Sequence, residues 1–257
     1  MASATSTVAL SRNEGLKDRY DEMHKQGASS WFSDGKEERE TILKMGEPWK
    51  GVIMLEIGCG EGELSKLCYD AGAIVLGVDY SKIAIDKSVK EYRRPGLDFD
   101  CINYRSVYAE NWECLIMQGV LEHLNDPFGE LQWMIEHFKP KTVITSSPCF
   151  LNTRGVVWMT LNMLGAVMSK TDLHYLNPWD FEIFCENHGY KLRMLDCDWD
   201  WGNGDAMISD LSQRIPLALR DGGLPEGRVG DLMEWLKQIQ VGCDCRLGAT
   251  MVYRIDL

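Results

Sequence analysis

The stretch of sequence that decides the fold is Leu55-Glu56-Ile57-Gly58-Cys59-Gly60-Glu61-Gly62. An apolar run at 52–57 predicts a buried strand, and the glycines that stop it lead into a helical pattern at 63–71. Glycines permit positive φ and let a ligand approach the backbone, because no Cβ stands in the way. The following helix presents unpaired N–H groups that suit a carboxylate or a phosphate. The stretch therefore predicts a strand, loop and helix that together bind a ligand.

The next unit along the chain supplies a carboxylate. Residues 73–78 form a second apolar run, Asp79 stands at its end, and Ser81 is the predicted N-cap of a helix at 81–92. A carboxylate at this place can accept hydrogen bonds from both hydroxyls of a ribose, so the two units predict a nucleoside-binding site. The alternative is that the glycines form an ordinary tight turn and that Asp79 caps a helix.

Strand and helix patterns alternate through much of the chain. Further strands are predicted at 97–102, 114–117, 142–146, 190–197 and 250–257. Strands that alternate with helices predict βαβ units and a parallel sheet, and continuous apolar runs fit a sheet covered on both faces. The last strand alternates apolar and polar residues, as a half-exposed antiparallel strand does. We therefore predict an α/β fold, a Rossmann-like, mostly parallel sheet of seven strands with helices on both faces and an antiparallel final strand.

The chain is predicted to form one domain with additions. Residues 1–13 are rich in Ala, Ser and Thr and are expected to be disordered, and residues 14–257 form the domain. We expect an N-terminal helical cap at 14–48, a Met- and Trp-rich helix at 151–169 and an insertion at 202–247 between the last two strands. The 151–169 helix is either a lid over a bound ligand or a core helix, and the sequence leaves both open.

Composition restricts the class of protein. The 257-residue chain has a formal net charge of −12, which argues against a general nucleic-acid binder because phosphates would repel it. Its longest uncharged stretch, 155–169, is shorter than the about 20 apolar residues of a membrane span, and the N-terminal residues resemble no signal sequence. Nine scattered cysteines fit reduced thiols and a cytoplasmic location, and a lone C-x-C at 243–245 predicts no metal site.

Three motifs carry a family resemblance. Residues 56–62 match (D/E)-x-G-x-G-x-G, the first motif of the class I S-adenosylmethionine (SAM)-dependent methyltransferases, and Val78-Asp79-Tyr80-Ser81 resembles their ribose-binding motif. Residues 117–124, followed by Asn125-Asp126-Pro127, resemble the segment after the fourth strand in the branch that includes ubiquinone- and menaquinone-biosynthesis methyltransferases. The resemblance covers residues 15–200 and implies SAM as cofactor, but it does not identify the methyl acceptor.

The resemblance also implies which residues hold the cofactor. Gly58, Cys59 and Gly60 would line it, and Asp79 would bind the ribose. Tyr80 would lie against the adenine. Glu56 would act near the methionine amino end or brace the loop.

Three further residues are placed at the cofactor by the same resemblance. Gln118 would lie near the methionine moiety, and Tyr20 belongs to an N-terminal segment that folds over the cofactor in related enzymes. The family usually has an acid after the third strand that contacts the adenine amino group, and this chain has none at 102–106. Asn103 could replace it through its side-chain carbonyl.

The candidate catalytic residues are histidines. An oxygen acceptor needs a base, and a histidine suits that task near neutral pH. His123 is the first choice because it follows the carboxyl end of the fourth strand, where α/β active sites lie. His174, before a predicted helix at Asn177-Pro178, is the second choice, and His24 is expected on a helix surface. His123 and His174 could each instead be a structural histidine.

Three functions remain open at this stage. A methyltransferase for a small-molecule acceptor, aromatic or lipid-like, is favoured, with oxygen preferred to nitrogen as the methylated atom. A non-catalytic protein that binds SAM or another nucleoside is the second possibility. An NAD-dependent oxidoreductase is disfavoured, because the dinucleotide fingerprint is G-x-G-x-x-G and this chain has G-x-G-x-G.

Overall fold

The computed structural model describes residues 16–17, 20–25, 35–108, 111–169, 171–239 and 247–257. The predicted disordered segment 1–13 lies outside these residues. So do 26–34 of the predicted cap and 240–246 of the predicted insertion.

Strands and helices alternate along the described chain, as the sequence predicts. The strands are β1 (Ile53–Ile57), β2 (Ile74–Val78), β3 (Leu97–Asp100), β4 (Cys114–Gln118), β5 (Thr142–Pro148), β6 (Lys191–Cys197) and β7 (Thr250–Asp256). The helices are α1 (Lys36–Gly46), α2 (Glu63–Asp70), α3 (Lys82–Tyr92), α4 (Pro127–Phe138), α5 (Thr153–Met163), α6 (Pro178–His188), α7 (Trp199–Asn203), α8 (Asp205–Asp221) and α9 (Val229–Ile239). Short 3-10 turns cover Tyr104–Ser106 and Leu121–His123, and residues 20–25 are also helical.

The strands form one seven-stranded sheet in the order β3-β2-β1-β4-β5-β7-β6. β1 pairs in parallel with both β2 and β4, so the strand order reverses beside it. In an open α/β sheet, ligands bind at the carboxyl ends of the strands where the order reverses. β7 runs antiparallel to β5 and to β6, which confirms the predicted fold class. The glycine loop after β1 therefore lies at the place where this topology binds ligands.

Helices cover both faces of the sheet, as predicted. On one face α1, α2 and α3 contribute Ile42, Leu64 and Ile85 to a core that includes Met54 and Ile116. On the other face α4 and α6 contribute side chains such as Leu131 and Phe181 to a second core. Strands buried on both sides need apolar residues at consecutive positions, which explains the continuous apolar runs.

Two local predictions were wrong. The last strand is not half-exposed, because β7 lies between two other strands and both Val252 and Tyr253 are fully buried. Helix α1 packs against β7 and covers the face of that strand that the sequence pattern predicts to be exposed. The predicted helix at 151–169 ends at Met163, because Gly165 adopts a left-handed φ of 94°.

A third apolar cluster lies between α5, α8 and α9. Val157 and Trp158 of α5 pack there with Met207 and Leu211 of α8 and Leu236 of α9. The outer side of α5 and the turn after it are exposed, with Met163 85% accessible. Within the described ranges, none of the helices has the length and apolar character needed to cross a bilayer.

Candidate active site

The glycine loop joins β1 to α2 at the carboxyl edge of the sheet. Gly58, Gly60 and Gly62 have left-handed φ angles of 73°, 52° and 85°. A Cβ added to Gly60 would meet no atom nearer than His24 Cε1 at 3.8 Å, so the backbone is open to a ligand there. A Cβ on Gly62 would lie 2.7 Å from Phe99, so this glycine serves close packing instead.

The Asp79 carboxylate follows β2 and contacts the glycine loop. Its Oδ2 accepts a hydrogen bond from the Gly60 amide at 3.0 Å, and its Oδ1 accepts one from the Ser81 amide at 2.7 Å. Each carboxylate oxygen keeps a further lone pair for a ligand hydroxyl. Ser81 also caps α3, since its hydroxyl accepts a hydrogen bond from the Ala84 amide. Asp79 is thus fixed beside the open face of the glycine loop.

Glu56 lies beneath the loop with 1% of its surface exposed. The Ser65 hydroxyl of α2 donates a hydrogen bond to its carboxylate, so Glu56 ties β1 to α2. Burial raises the pKa of Glu56 to about 7, because the surrounding core disfavours the charged form. Of the two roles proposed for Glu56 from the resemblance, bracing the loop is the one that this contact supports.

The helical residues 20–25 lie across the carboxyl edge of the sheet. Tyr20 reaches His123, and the Ser81 hydroxyl donates to Asp21 Oδ1 at 2.5 Å. His24 Nδ1 lies 3.0 Å from Glu61 Oε1 of the glycine loop. Side chains at positions 20, 21 and 24 therefore fasten one N-terminal segment to three places around the loop. The expectation that His24 lies on a helix surface was wrong, since its side chain is only 12% exposed.

His123 lies on the 3-10 turn after β4, with its two ring nitrogens in different surroundings. Nδ1 lies 3.0 Å from the Thr171 carbonyl oxygen, and Nε2 lies 2.8 Å from the Tyr20 hydroxyl. A carbonyl oxygen only accepts, so the neutral ring carries its proton on Nδ1 and presents a lone pair on Nε2. Burial lowers the pKa of His123, which keeps the ring neutral and able to act as a base.

Carboxyl groups surround this imidazole. Glu122 Oε1 lies 3.9 Å from Nε2, and Asp172 Oδ1 lies 3.6 Å from Nδ1. Glu122 is 2% exposed, and its Oε2 has no hydrogen-bond partner among the described residues. Burial raises the pKa of Glu122 well above its usual range, which favours the neutral acid. Burial also raises the pKa of the Tyr20 hydroxyl, so that group stays a phenol.

Gln118 ends β4 on the same edge and contacts α1. Its Nε2 donates a hydrogen bond to Glu38 Oε2 at 2.6 Å. Burial raises the pKa of Glu38, while hydrogen bonds from Ser146 and Gln118 oppose that rise. The residue thought to lie near the methionine moiety is therefore held by the first turn of α1.

Three predicted site residues are placed differently from the rest. The Cys59 thiol packs into the core, so only its backbone faces the loop. Asn103 is exposed, and its Oδ1 accepts a hydrogen bond from the Arg105 amide at 2.9 Å, which caps a 3-10 turn. His174 Nε2 lies 3.1 Å from the Asn125 carbonyl. The adenine contact of Asn103 and the base role of His174 stay predictions.

Tyr80 follows Asp79 and is 41% exposed. Its ring meets the Tyr20 ring edge to face, with centroids 6.3 Å apart. Tyr20 therefore touches both the predicted adenine neighbour and the predicted base. The structure thus brings together Tyr20, Gly60, Asp79, Tyr80 and His123 along one edge of the sheet.

Sequence reasoning missed four polar residues at this edge, namely Asp21, His24, Glu38 and Asp172. None belongs to a recognisable motif, and each reaches the site from a segment distant in sequence from the strand ends. The only available signal was the clustering of charged residues in the N-terminal segment, which is typical of any exposed helix.

Comparison with known proteins agrees with this geometry. A family profile described as a methyltransferase domain matches residues 28–193. A ubiquinone biosynthesis O-methyltransferase of Coxiella burnetii (strain Dugway 5J108-111) is 35% identical over 157 residues, which cover 57% of this chain and 66% of that enzyme. The match thus spans slightly less than two thirds of the relative.

Solved structures share the fold. A magnesium protoporphyrin IX methyltransferase from Synechocystis PCC 6803 with bound S-adenosylhomocysteine (SAH) has a TM-score of 0.54 at 18% identity, covering 72% of this chain and 92% of that one. An S-adenosylmethionine-dependent methyltransferase from Mesorhizobium loti has a TM-score of 0.53 at 12% identity, covering 90% and 99%. These structures show the shared fold, and the profile match over residues 28–193 shows that the chain belongs to the methyltransferase-domain family.

Proposed function

We propose that the chain methylates a hydroxyl group of a small-molecule acceptor, with a phenol as the acceptor class. The observation that carries this proposal is the hydrogen bond between the Tyr20 hydroxyl and His123 Nε2. A phenolic O–H already lies on the lone pair of a neutral imidazole. An acceptor phenol that took the place of Tyr20 would have its proton at the base.

The residues around the glycine loop fit the cofactor. When bound, SAM supplies an electrophilic methyl group on a positively charged sulfonium. The Gly58 and Gly60 backbone would lie against it, Asp79 would hold the ribose hydroxyls, and Tyr80 would face the adenine.

Oxygen is favoured over nitrogen as the methylated atom. A neutral amine attacks a methyl group without first losing a proton, whereas a phenol becomes a strong nucleophile only as it loses one. A buried neutral His123 beside a hydroxyl is therefore an arrangement that an oxygen acceptor uses. The similarity to an enzyme named ubiquinone biosynthesis O-methyltransferase supports the same choice.

An apolar portion of the acceptor would lie near α5. Val156, Met163 and Leu164 are more than 60% exposed on this helix and the turn after it. A cavity of about 290 Å³ lies between α5 and α9, lined by apolar groups that include Trp235 and Leu236. These surfaces support an aromatic or lipid-like acceptor and the proposal that 151–169 acts as a lid.

The free cysteines of the described residues support a reducing, cytoplasmic location.

The test is a methylation assay with matched acceptors. Purified protein and SAM are incubated with catechols and simple phenols, and separately with the corresponding anilines, and both SAH and methylated product are quantified by mass spectrometry. We expect phenolic acceptors to yield both products and His123→Gln to abolish most of the yield. Methylation of anilines alone would replace the proposal with N-methylation. SAM binding without turnover on any acceptor would favour a non-catalytic binding protein.

A further inference from the structure

We propose that Asp172 is a positioning residue for His123, whose negative charge beside Nδ1 stabilises the cation that forms when Nε2 takes the acceptor proton. The inference rests on the proposed function of His123 as the base. Asp172 lies on the segment between α5 and α6, and its side chain is 10% exposed. It is the only carboxylate with a described ion-pair contact to Nδ1, the nitrogen opposite the acceptor side.

The Asp172 carboxylate lies on the Nδ1 side of the imidazole. Asp172 Oδ1 lies 3.6 Å from Nδ1, while the carbonyl oxygen of the adjacent Thr171 accepts a hydrogen bond from Nδ1–H at 3.0 Å. One short segment therefore supplies both the acceptor that fixes the tautomer and the negative charge that favours the protonated ring. Opposite charges at such a distance raise the pKa of a histidine.

Hydrogen bonds hold the segment that carries Asp172 in place. The Leu173 and His174 amides donate to the Glu122 carbonyl oxygen at 2.9 and 3.1 Å. The Asp172 amide donates to the Ser169 hydroxyl at 3.2 Å. Because Glu122 is the residue before His123, these bonds join the Asp172 segment directly to the turn that carries the imidazole.

Groups from other segments also face His123. From the N-terminal segment comes the Tyr20 phenol, and from its own turn comes Glu122, whose raised pKa favours the neutral acid. Arg154 of α5 interacts electrostatically with Asp172. Burial lowers the pKa of His123, and Asp172 opposes that change. Asp172 thus offsets part of the change in the His123 pKa that burial causes.

The proton step can be written from these contacts. The acceptor O–H bond breaks and its proton moves to Nε2, while the oxygen electron pair forms the bond to the methyl carbon. The methyl–sulfur bond breaks with its electrons remaining on sulfur. His123 is then a cation, and Asp172 stabilises that charge until Nε2 releases the proton to solvent.

The first test measures His123 directly, without cofactor or acceptor. The chain has five histidines, so NMR titration of their ring signals, with His123→Gln for assignment, gives the pKa of His123. We expect Asp172→Asn to lower that pKa by about one pH unit. Asp172→Glu should restore most of the wild-type value, and Asp231→Asn, at an exposed acid of α9, should leave it unchanged. Asp172→Ser serves as a second neutral variant if Asp172→Asn does not fold.

The second test is the pH profile of methylation. In Asp172→Asn the acid limb of kcat should move to lower pH with the pKa of His123. The plateau should fall by about threefold to tenfold because the base is weaker, with the acceptor KM unchanged. An unchanged pKa of His123 in a folded Asp172→Asn protein would overturn the inference and leave the proposed function intact. A shifted pKa with no methylation of any acceptor would overturn the proposed function instead.

Discussion

The Tyr20 hydroxyl lies 2.8 Å from His123 Nε2, although 103 residues separate the two in sequence. The contact places the N-terminal segment over the carboxyl ends of β2 and β4. In the proposed reaction, it occupies the Nε2 lone pair that would take the proton of the acceptor. Because burial raises the pKa of Tyr20, its phenolate is disfavoured, and we infer that the acceptor displaces this hydroxyl.

Replacing Tyr20 with phenylalanine should therefore help the acceptor bind. Tyr20→Phe removes the competing hydroxyl but keeps the ring that meets Tyr80. One hydrogen bond of about 1 kcal/mol corresponds to an acceptor dissociation constant about fivefold lower, with kcat within about twofold of wild type. Equilibrium binding of a phenolic acceptor, together with steady-state kinetics, measures both.

The matched control for this change is Tyr108→Phe, at a side chain that is 84% exposed. It should alter neither constant. If Tyr20→Phe instead lowered kcat by about a hundredfold with unchanged acceptor binding, Tyr20 would be a proton relay between the acceptor and His123.

Asp79 should contribute to cofactor affinity through the ribose. Asp79→Ala removes the acceptor of two amide hydrogen bonds and of the ribose hydroxyls. We expect the SAM dissociation constant to rise at least about tenfold, which is about 1.4 kcal/mol, as measured by calorimetric titration with SAM and with SAH. Asp86→Asn, at an exposed acid of α3, is the control and should bind normally. Equal affinity in Asp79→Ala would remove Asp79 from the cofactor site.

Much of the fold was predictable because its determinants are local. Apolar runs at consecutive positions mark strands buried on two faces, so β1 and β2 could be located from the sequence within one residue. Ser81 and Pro127 begin helices by capping chemistry that involves only a few neighbouring residues. The proximity of the glycine loop to Asp79 was also predictable, because the carboxyl ends of parallel strands lie at one edge of the sheet.

The parts that could not be predicted depend on distant segments. Burial of β7 on both faces requires α1, which lies more than 200 residues earlier in the sequence. The contact between Asp172 and His123 joins two segments that lack any shared periodicity. His24 sits in a charged helical pattern typical of an exposed surface, and only the fold places it against Glu61.

Glu56 should make the stability of the protein depend on pH. Its pKa is about 7 in the folded protein against a model-peptide value of 4.5, so between these values the unfolded chain loses a proton that the folded chain keeps. The free energy of unfolding should therefore fall as pH rises from 4.5 to 7 and level off above that range. The loss is about 3 kcal/mol at most.

Urea denaturation of wild type and Glu56→Gln across this pH range measures the effect as the difference between the two curves. Glu113→Gln is the control, because the Lys141 ammonium lowers the pKa of Glu113 below its model-peptide value of 4.5, so its stabilisation is constant above that pH and is lost only below it. The curves of Glu113→Gln and wild type should therefore be parallel across this range. Parallel curves for wild type and Glu56→Gln would contradict the burial of an acid that stays protonated near neutral pH.

Gly62 and Gly51 allow the packing role of the glycine loop to be separated from its backbone conformation. Their φ angles are nearly equal, +85° and +79°, so alanine is strained at both by about 1 kcal/mol. A Cβ on Gly62 would also meet Phe99 at 2.7 Å and Ser88 Cβ at 2.9 Å, whereas one on Gly51 would meet nothing within 4 Å.

We therefore expect Gly62→Ala to cost about 1–3 kcal/mol more than Gly51→Ala in the free energy of unfolding, measured by urea denaturation at one pH. The excess reports the close approach of α2 to β3 and α3 that the third glycine of the motif permits. Equal costs for the two variants would mean that Phe99 moves aside. In that case Gly62 would be required only for its left-handed backbone conformation at the start of α2.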